Sequence, residues 1–392
     1  MTKEASRVET SSDLATRAKK VLAPGAQDYL RVSEHPDFPR LFSNSGGVWL
    51  TDPNGRKYLD FYLGSGAVIL GHGHRGQVAA VGAALRHGAT VSLRHPVEVE
   101  LAERLVGLIG SINRVMFFKT GSECVHKALS IALRATGRNR IVSLGYHGWL
   151  FPFGWDRTAN SAIVEEPAWV LNEALGAIRE AGSSLAGVIV SPSPYMTDPV
   201  FYRALNIAAY EQGGLFIMDE VKSGFRWHFP CVSTAWGLTP DLLLLSKAVA
   251  NGFPLSVLGG REDLLADRDL ISVFSTYASE NVSLTAALAC IDALADGAHA
   301  AFAEASARLR RLLAEALNGT AIAVVGGDTF FRLHLSDAMN RADVAMAMAR
   351  AGVLFHPKDE VLVSAAHAEP GLIEEGAGRM VKVFKEMEAF TG

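Results

Sequence analysis

The residue best placed to do covalent chemistry is Lys247. It closes an apolar run in Pro240–Gly252, PDLLLLSKAVANG, where four leucines lead into a serine and an ammonium group. Lysine is among the residues least often fully buried, and burial lowers its pKa from about 10.4 toward neutrality. A neutral amine is a nucleophile that condenses with a carbonyl. A lysine that merely opens a helix and points into solvent leaves the same string, so other stretches must decide between the two.

Four stretches carry compatible chemistry. In KTGSECVHKAL, Gly121 and Ser122 stand between a strand and a helix. A helix N-terminus with a glycine and a hydroxyl is an anion site, and it is also an ordinary cap with Ser122 as the capping residue. In GYHGW, glycines flank an aromatic pair, and Tyr146 either lies flat on a planar ligand or serves as a loop aromatic. In FIMDEVKSGFR, two acids end a hydrophobic strand, the place where open α/β sheets bind ligands. A buried Asp219 needs a partner, such as a protonated ring nitrogen, unless it caps a turn. In FSTYASEN, Ser275 and Thr276 either donate to a phosphate or decorate a turn. A phosphate cradle, a stacking aromatic, an acid for a ring nitrogen and an amine for an aldehyde together describe pyridoxal 5'-phosphate. Asp219 then holds the ring protonated, and Lys247 carries protons once substrate displaces it.

These residues need a scaffold that brings strand ends together. GGVWLTDPNGRKYLDFYLG alternates around Asp52-Pro53-Asn54-Gly55 and predicts a β-hairpin. From about residue 75, strand and helix patterns alternate: RVMFFKT, RIVSLG, LAGVIVSP, LFIMDE, LLLLS and LSVLGG read as strands, with amphipathic helices such as PVEVELAERLVGLIG and SECVHKALSIALRATG among them. That alternation predicts an α/β fold with a mainly parallel sheet covered by helices. After about residue 283 comes a long alanine-rich helical region, then strands in AIAVVGGDTFFRLHL, a helix in ADVAMAMARAGV and a closing helix, which read as a smaller α+β lobe.

Composition narrows the class. The 392 residues exceed one ordinary core, so two or more lobes are expected. Net charge is −4 and no basic stripe stands out, which argues against nucleic acid as partner. The polar start MTKEASRVETSSDLATRAKK lacks a signal core, and no run approaches the ~20 apolar residues of a membrane helix, so no membrane partner and a cytoplasmic location are expected. Three scattered cysteines make neither a disulfide framework nor a metal site, and Cys124 reads as a packing residue rather than a nucleophile.

Five ordered blocks resemble one family. GGVWLTDPNGRKYLDF, VILGHGHRGQVAAV, FFKTGSECVHKALSIALRATGRNRIVSLGYHGW, LFIMDEVKSGFR and PDLLLLSKAVANGFPLSVLGGRED follow at plausible spacing, with VLVSAAHAEPG echoing the end. The chain resembles the class III pyridoxal-phosphate aminotransferases of fold type I, in particular the branch containing glutamate-1-semialdehyde aminomutase, from about residue 22 to 385. The resemblance implies a large sheet domain of the seven-stranded type over 71–290. It also implies a small domain built from 291–392 with the N-terminal segment 1–70. It implies that Lys247 forms the Schiff base, Asp219 binds the pyridine nitrogen, Val221 and Tyr146 pack on opposite ring faces, and Gly121 and Ser122 hold the phosphate. The resemblance further implies that Thr276 reaches the phosphate of a neighbouring subunit's cofactor, in a homodimer with shared active sites. Glu123 is a nearby acid, and Arg31 or Arg40 lies where that branch places an arginine for a substrate carboxylate, unless both are surface residues.

The departures fall where substrate is read. Ser191-Pro192 stands where relatives read Glu-Pro, Gly64-Ser65-Gly66 replaces a Ser-Trp-Gly and widens the pocket at Ser65, and Ala278–Asn281 replaces a glycine-rich turn. The leading expectation is an aminotransferase of specialised metabolism. It passes an amino group from a donor to a keto or aldehyde acceptor through pyridoxamine phosphate. An aminomutase, epimerase or other isomerase shares the same cofactor chemistry, and a non-catalytic scaffold on this fold has no need of Lys247, Asp219 and Ser122 together. A nicotinamide enzyme is disfavoured because Gly71-His72-Gly73 and Gly76 lack the strand–helix setting of a dinucleotide fingerprint.

Overall fold

The computed structural model describes residues 10–23, 35, 37–150, 152–153, 164–165 and 169–391. The chain forms two compact units. One comprises the described residues up to Ser65, with Leu70–His74 and Ala300 onward; the other comprises Gly66–Ile69 and Arg75–His299.

The first unit opens on three strands, β1 (Asn44–Gly46), β2 (Trp49–Thr51) and β3 (Lys57–Asp60). β2 and β3 form the expected hairpin, with Trp49 opposite Leu59. Its turn is tight because Asp52 Oδ1 accepts from the amides of Asn54 and Arg56, both at 2.9 Å. β1, which the alternation does not single out, adds to β2 antiparallel.

The second unit is built on seven strands: β4 (Arg114–Phe118), β5 (Arg140–Leu144), β6 (Val164–Glu165), β7 (Leu185–Val190), β8 (Leu215–Glu220), β9 (Leu242–Leu245) and β10 (Ser256–Gly260). They lie in the order β4-β10-β9-β8-β7-β5-β6. β5 to β9 run parallel to one another, and β10 alone is reversed, antiparallel to both β9 and β4. This is the α/β architecture that the alternation predicts. β7, β8 and β9 are buried throughout, as strands covered on both faces must be. The helix Gly121–Thr136 turns Cys124, Ala128, Ile131 and Ala132 onto the sheet against Ile189, Ile217 and Leu244. Cys124 is therefore a core residue, and burial pushes its thiol far up.

The alanine-rich region is one long helical path in three pieces, Asn281–Ala293, a wide turn at Leu294–Ala298, and His299–Ala316. Gly297 at φ 112° breaks it. Among the described residues this stretch is long and apolar enough to cross a membrane by length and composition, a property that alanine conceals from a search for strongly apolar runs. Its first piece spends its apolar side chains inside the second unit, where Leu284, Ala287, Cys290 and Ile291 are fully buried. Four further strands complete the first unit: β11 (Ile322–Gly326), β12 (Phe331–Leu335), β13 (Val353–Leu354) and β14 (Glu360–Val361). β11, β12 and β14 form one sheet, and β13 pairs parallel with β3.

Candidate active site

The register of the sheet brings the candidate residues to one edge. Because β10 is antiparallel to both its neighbours, the carboxyl end of β4 lies on the same side as those of β5, β7, β8 and β9. Asp219 pairs with Leu244 and Glu220 with Leu245. Lys247 follows two residues after that last pair, just past the carboxyl end of β9. Tyr146 and His147 follow the end of β5, and Gly121 and Ser122 follow the end of β4.

The chain invests heavily in the loop that carries Lys247. The lysine has φ 47°, a conformation unfavourable for any residue with a Cβ, and Asn251 shares it at φ 45°. Such backbone persists only when its surroundings fix it. Asn251 Oδ1 accepts from Ile69 N at 2.8 Å and its Nδ2 donates to Gln77 Oε1 at 2.9 Å. Gln77 Nε2 in turn donates to Ala250 O and Ala286 O. On the far side, Ser246 Oγ donates to Leu255 O at 2.8 Å. Lys247 itself is half-buried.

The anion cradle is a 16-residue helix starting at Gly121. Its cap is Thr120 rather than Ser122. Thr120 Oγ1 accepts from Glu123 N at 3.3 Å, and Glu123 Oε2 accepts from Thr120 N at 2.7 Å and from Lys119 N at 3.1 Å. Glu123 thus completes a capping box, a role the T-x-x-E spacing carries in the sequence. With the cap on Thr120, the amides of Gly121 and Ser122 lie at the helix start, where no carbonyl one turn back exists to receive them. A Cβ on Gly121 would come within 2.7 Å of Val221 Cγ1, so only glycine lets these two segments meet. A Cβ on Gly148, at φ 89°, would come within 2.1 Å of Ser122 Oγ, which also accepts from Trp149 N at 3.3 Å. The loop bearing Tyr146 is therefore packed directly on the cradle.

Asp219 is buried. Its Oδ2 lies 2.7 Å from His147 Nδ1, the imidazole donating, and its Oδ1 accepts from Val221 N at 3.1 Å. His147 has no exposed side-chain surface, and its Nε2 has no hydrogen-bond partner among the described residues. Sequence reasoning missed His147. Its signal was the same one used for Asp219: a buried carboxylate needs a donor, and a histidine stood beside Tyr146. Tyr146 is 73 % exposed. Burial of part of its ring and the Asp219 charge push the phenol up, and Lys222 pulls it back.

The structure joins Gly121 to Val221, Ser122 to the Tyr146 loop, and Asp219 to His147. Thr276 is exposed in the segment before the helix Asn281–Ala293. Ser65, its hydroxyl donating to Tyr62 Oη at 2.5 Å, and Arg40, which sits 6.0 Å over the Phe38 ring, belong to the other unit. Arg31 lies outside the described residues.

Comparison with known proteins decides the family. The aminotransferase class-III family model matches residues 31–152 and 157–375. The chain belongs to the class-III aminotransferases. This aminotransferase is 34 % identical over 273 residues to 2'-deamino-2'-hydroxyneamine transaminase of Streptomyces kanamyceticus, covering 67 % of this chain and 69 % of that protein. It is 29 % identical to glutamate-1-semialdehyde 2,1-aminomutase of Pyrobaculum calidifontis, covering 97 % of this chain and 96 % of the relative. A solved transaminase with pyridoxal phosphate bound superposes with TM-score 0.89 at 23 % identity, covering 98 % of this chain and 99 % of the other. The cofactor of this aminotransferase is pyridoxal phosphate, and it acts on amino donors and keto acceptors.

The residues present fit that cofactor. The amides of Gly121 and Ser122 open the helix with no carbonyl one turn back to receive them, beside the Ser122 hydroxyl. Each Asp219 oxygen makes one hydrogen bond and, as a carboxylate oxygen, accepts a second.

Proposed function

We propose that this aminotransferase holds pyridoxal phosphate by the residues at the carboxyl edge of its seven-stranded sheet and serves a pathway of specialised metabolism. The reading rests on one observation above all: a lysine in strained backbone, two residues past a buried strand, next to a strand that ends in a braced carboxylate. When bound, the cofactor supplies an aldehyde that exchanges amines and a ring that stabilises negative charge at the substrate carbon.

The chain's own groups do the rest. Lys247 Nζ would hold the aldehyde and, once substrate displaces it, would take the proton from the substrate carbon that bears the amine. Asp219, held in orientation by His147 and Val221 N, accepts the ring N–H. The amides of Gly121 and Ser122 and the Ser122 hydroxyl bind the phosphate. Tyr146 and Val221 enclose the ring on its two faces. Thr276 serves the phosphate of a second copy. The exposed Val91, Leu93, Val273, Phe274 and Tyr277 support that homodimer: they lie on two segments tied by Asn281 N to Ala89 O at 2.8 Å. Three buried, unpaired cysteines suit the reducing cytoplasm. Glu123 acts on the site through the cap, and Arg31, Arg40 and Ser65 are the substrate-side candidates.

Similarity to 2'-deamino-2'-hydroxyneamine transaminase favours a neamine-type compound as amino acceptor or donor. Similarity to the aminomutase over nearly the whole chain keeps a second reading, in which the nitrogen moves within one molecule. Half-reactions separate the two. If an amino donor bleaches the visible band of the loaded protein and a keto acid restores it, with stoichiometric consumption of both, transamination stands. Isomerisation of an amine with no keto acid consumed overturns it.

A further inference from the structure

Lys119 lies two residues before the cradle helix, and most of its side chain is buried. Nζ donates to Glu280 Oε1 at 2.8 Å and to Pro254 O at 3.2 Å, and the two charged side chains are only 17 % and 12 % exposed. Surface ion pairs contribute little to stability, because water screens them and flexible side chains must be ordered. This pair is different in kind. Glu280 Oε2 accepts from Val282 N at 2.6 Å, and Oε1, the oxygen that Lys119 holds, also accepts from Ser283 N at 2.9 Å, as the cap of the helix Asn281–Ala293. Burial pushes its carboxyl up, but Lys119 and Ser283 outweigh that and hold it below the usual range. Lys119 N donates to Glu123, inside the capping box of the cradle helix. Pro254 belongs to the loop that descends from Lys247, and a parallel brace runs beside it: Ser256 Oγ donates to Thr120 O at 2.8 Å. One ammonium thus ties together the phosphate cradle, the Lys247 loop and the cap of a third element.

We propose that Lys119 and Glu280 form a positioning pair that holds the phosphate cradle in register with Lys247. The inference rests on the function proposed above. A rigid ring bearing an aldehyde and a phosphate arm must satisfy the cradle and the lysine at once, so a shift of either segment weakens the hold on both ends together. Neither side chain touches the substrate. Their effect is specific to ligands that carry the phosphate, because a ligand with the aldehyde alone needs only Lys247.

The test titrates the stripped full chain with pyridoxal phosphate and with pyridoxal, which lacks the phosphate, reading the visible absorbance of the bound ligand. K119M and E280Q are each expected to weaken pyridoxal phosphate about tenfold, equal to about 1.4 kcal/mol, while pyridoxal changes by less than about twofold. The double variant is expected to be no weaker than K119M, because both changes remove the same pair. K119R, which keeps the charge, is expected to recover most of the affinity. E280Q keeps the shape of the cap and carries the test if K119M does not fold. Singles that bind pyridoxal phosphate like the parent, or that lose pyridoxal equally, overturn the inference alone. A parent chain that binds neither ligand overturns the proposed function and this inference with it.

Discussion

Asp219 and Glu220 end the same strand, are both buried, and have opposite surroundings. Glu220 has three donors, all from the scaffold: Oε2 accepts from Val232 N at 2.6 Å, and Oε1 from Ser233 N at 2.7 Å and Ser233 Oγ at 2.5 Å. Burial still pushes it up against those three donors. Asp219 has one donor per oxygen, from His147 and Val221, and keeps acceptor capacity on the cofactor side. Successive strand residues face opposite sides of a sheet, so one acid turns to the cleft and the other to the scaffold. The difference shows that burial of a carboxylate does not mark a site. What marks it is burial with a brace that leaves lone pairs open.

The contrast predicts a division of labour. Asp219→Asn is expected to lower turnover by about 10²–10³-fold with the melting temperature nearly unchanged, the cost of removing one group aimed at developing charge. Glu220→Ala is expected to strand three donors and cost on the order of 3 kcal/mol or more of stability, while the protein that remains folded keeps its turnover. Steady-state rates normalised to folded protein, beside thermal melts, read both. If the two variants exchange phenotypes, the contrast fails.

Gly121→Ala comes next. The new methyl meets Val221 at 2.7 Å, and overpacking of this kind costs about 1–3 kcal/mol. Pyridoxal phosphate affinity is expected to fall, and Val221→Ala in the same chain is expected to restore part of it. Loss without rescue would place the effect elsewhere in the cradle. His147→Gln sharpens the role of the brace. It is expected to weaken turnover by about tenfold, the weight of one hydrogen bond to a charged group, while pyridoxal phosphate still binds.

The smallest effect concerns pH. His299 is held down to about 4 by burial, helped by His228 and Arg226. The unfolded histidine takes up its proton near pH 6.5, and the folded one does not until about 4. Its contribution is therefore complete above 6.5 and is lost as pH falls toward 4. Because the ring is partly exposed, we expect His299→Gln to reduce acid destabilisation by only about 1 kcal/mol, read as a shallower fall of melting temperature between those values.

Much of this was legible in the sequence because apolar runs, glycines and helix periodicity are local signals. Six of the seven strands of the second unit read from RVMFFKT to LSVLGG, and Gly110 and Gly137 end their helices in left-handed backbone. β1 and β6 were not legible: they are short, and register with a neighbour rather than composition makes them strands. The break at Asp296–Gly297 was hidden because alanine favours helix on both sides. In the site, Lys247 and Asp219 announce themselves by charge at the end of apolar strands. His147, Glu280 and the pairing of Lys119 depend on contacts across 72 and 161 residues of chain, which no local pattern carries. Glu123 reads as a nearby acid because its sequence neighbours are site residues, and its capping role is carried by the T-x-x-E spacing.

The central claim is that Lys247, and no other amine at this sheet edge, carries the cofactor. Borohydride reduction of the loaded protein followed by peptide mapping tests it most directly. The account predicts a single pyridoxyl label on the peptide containing Lys247, absent in Lys247→Ala; a label on Lys119 or Lys222, or one that survives in Lys247→Ala, contradicts it.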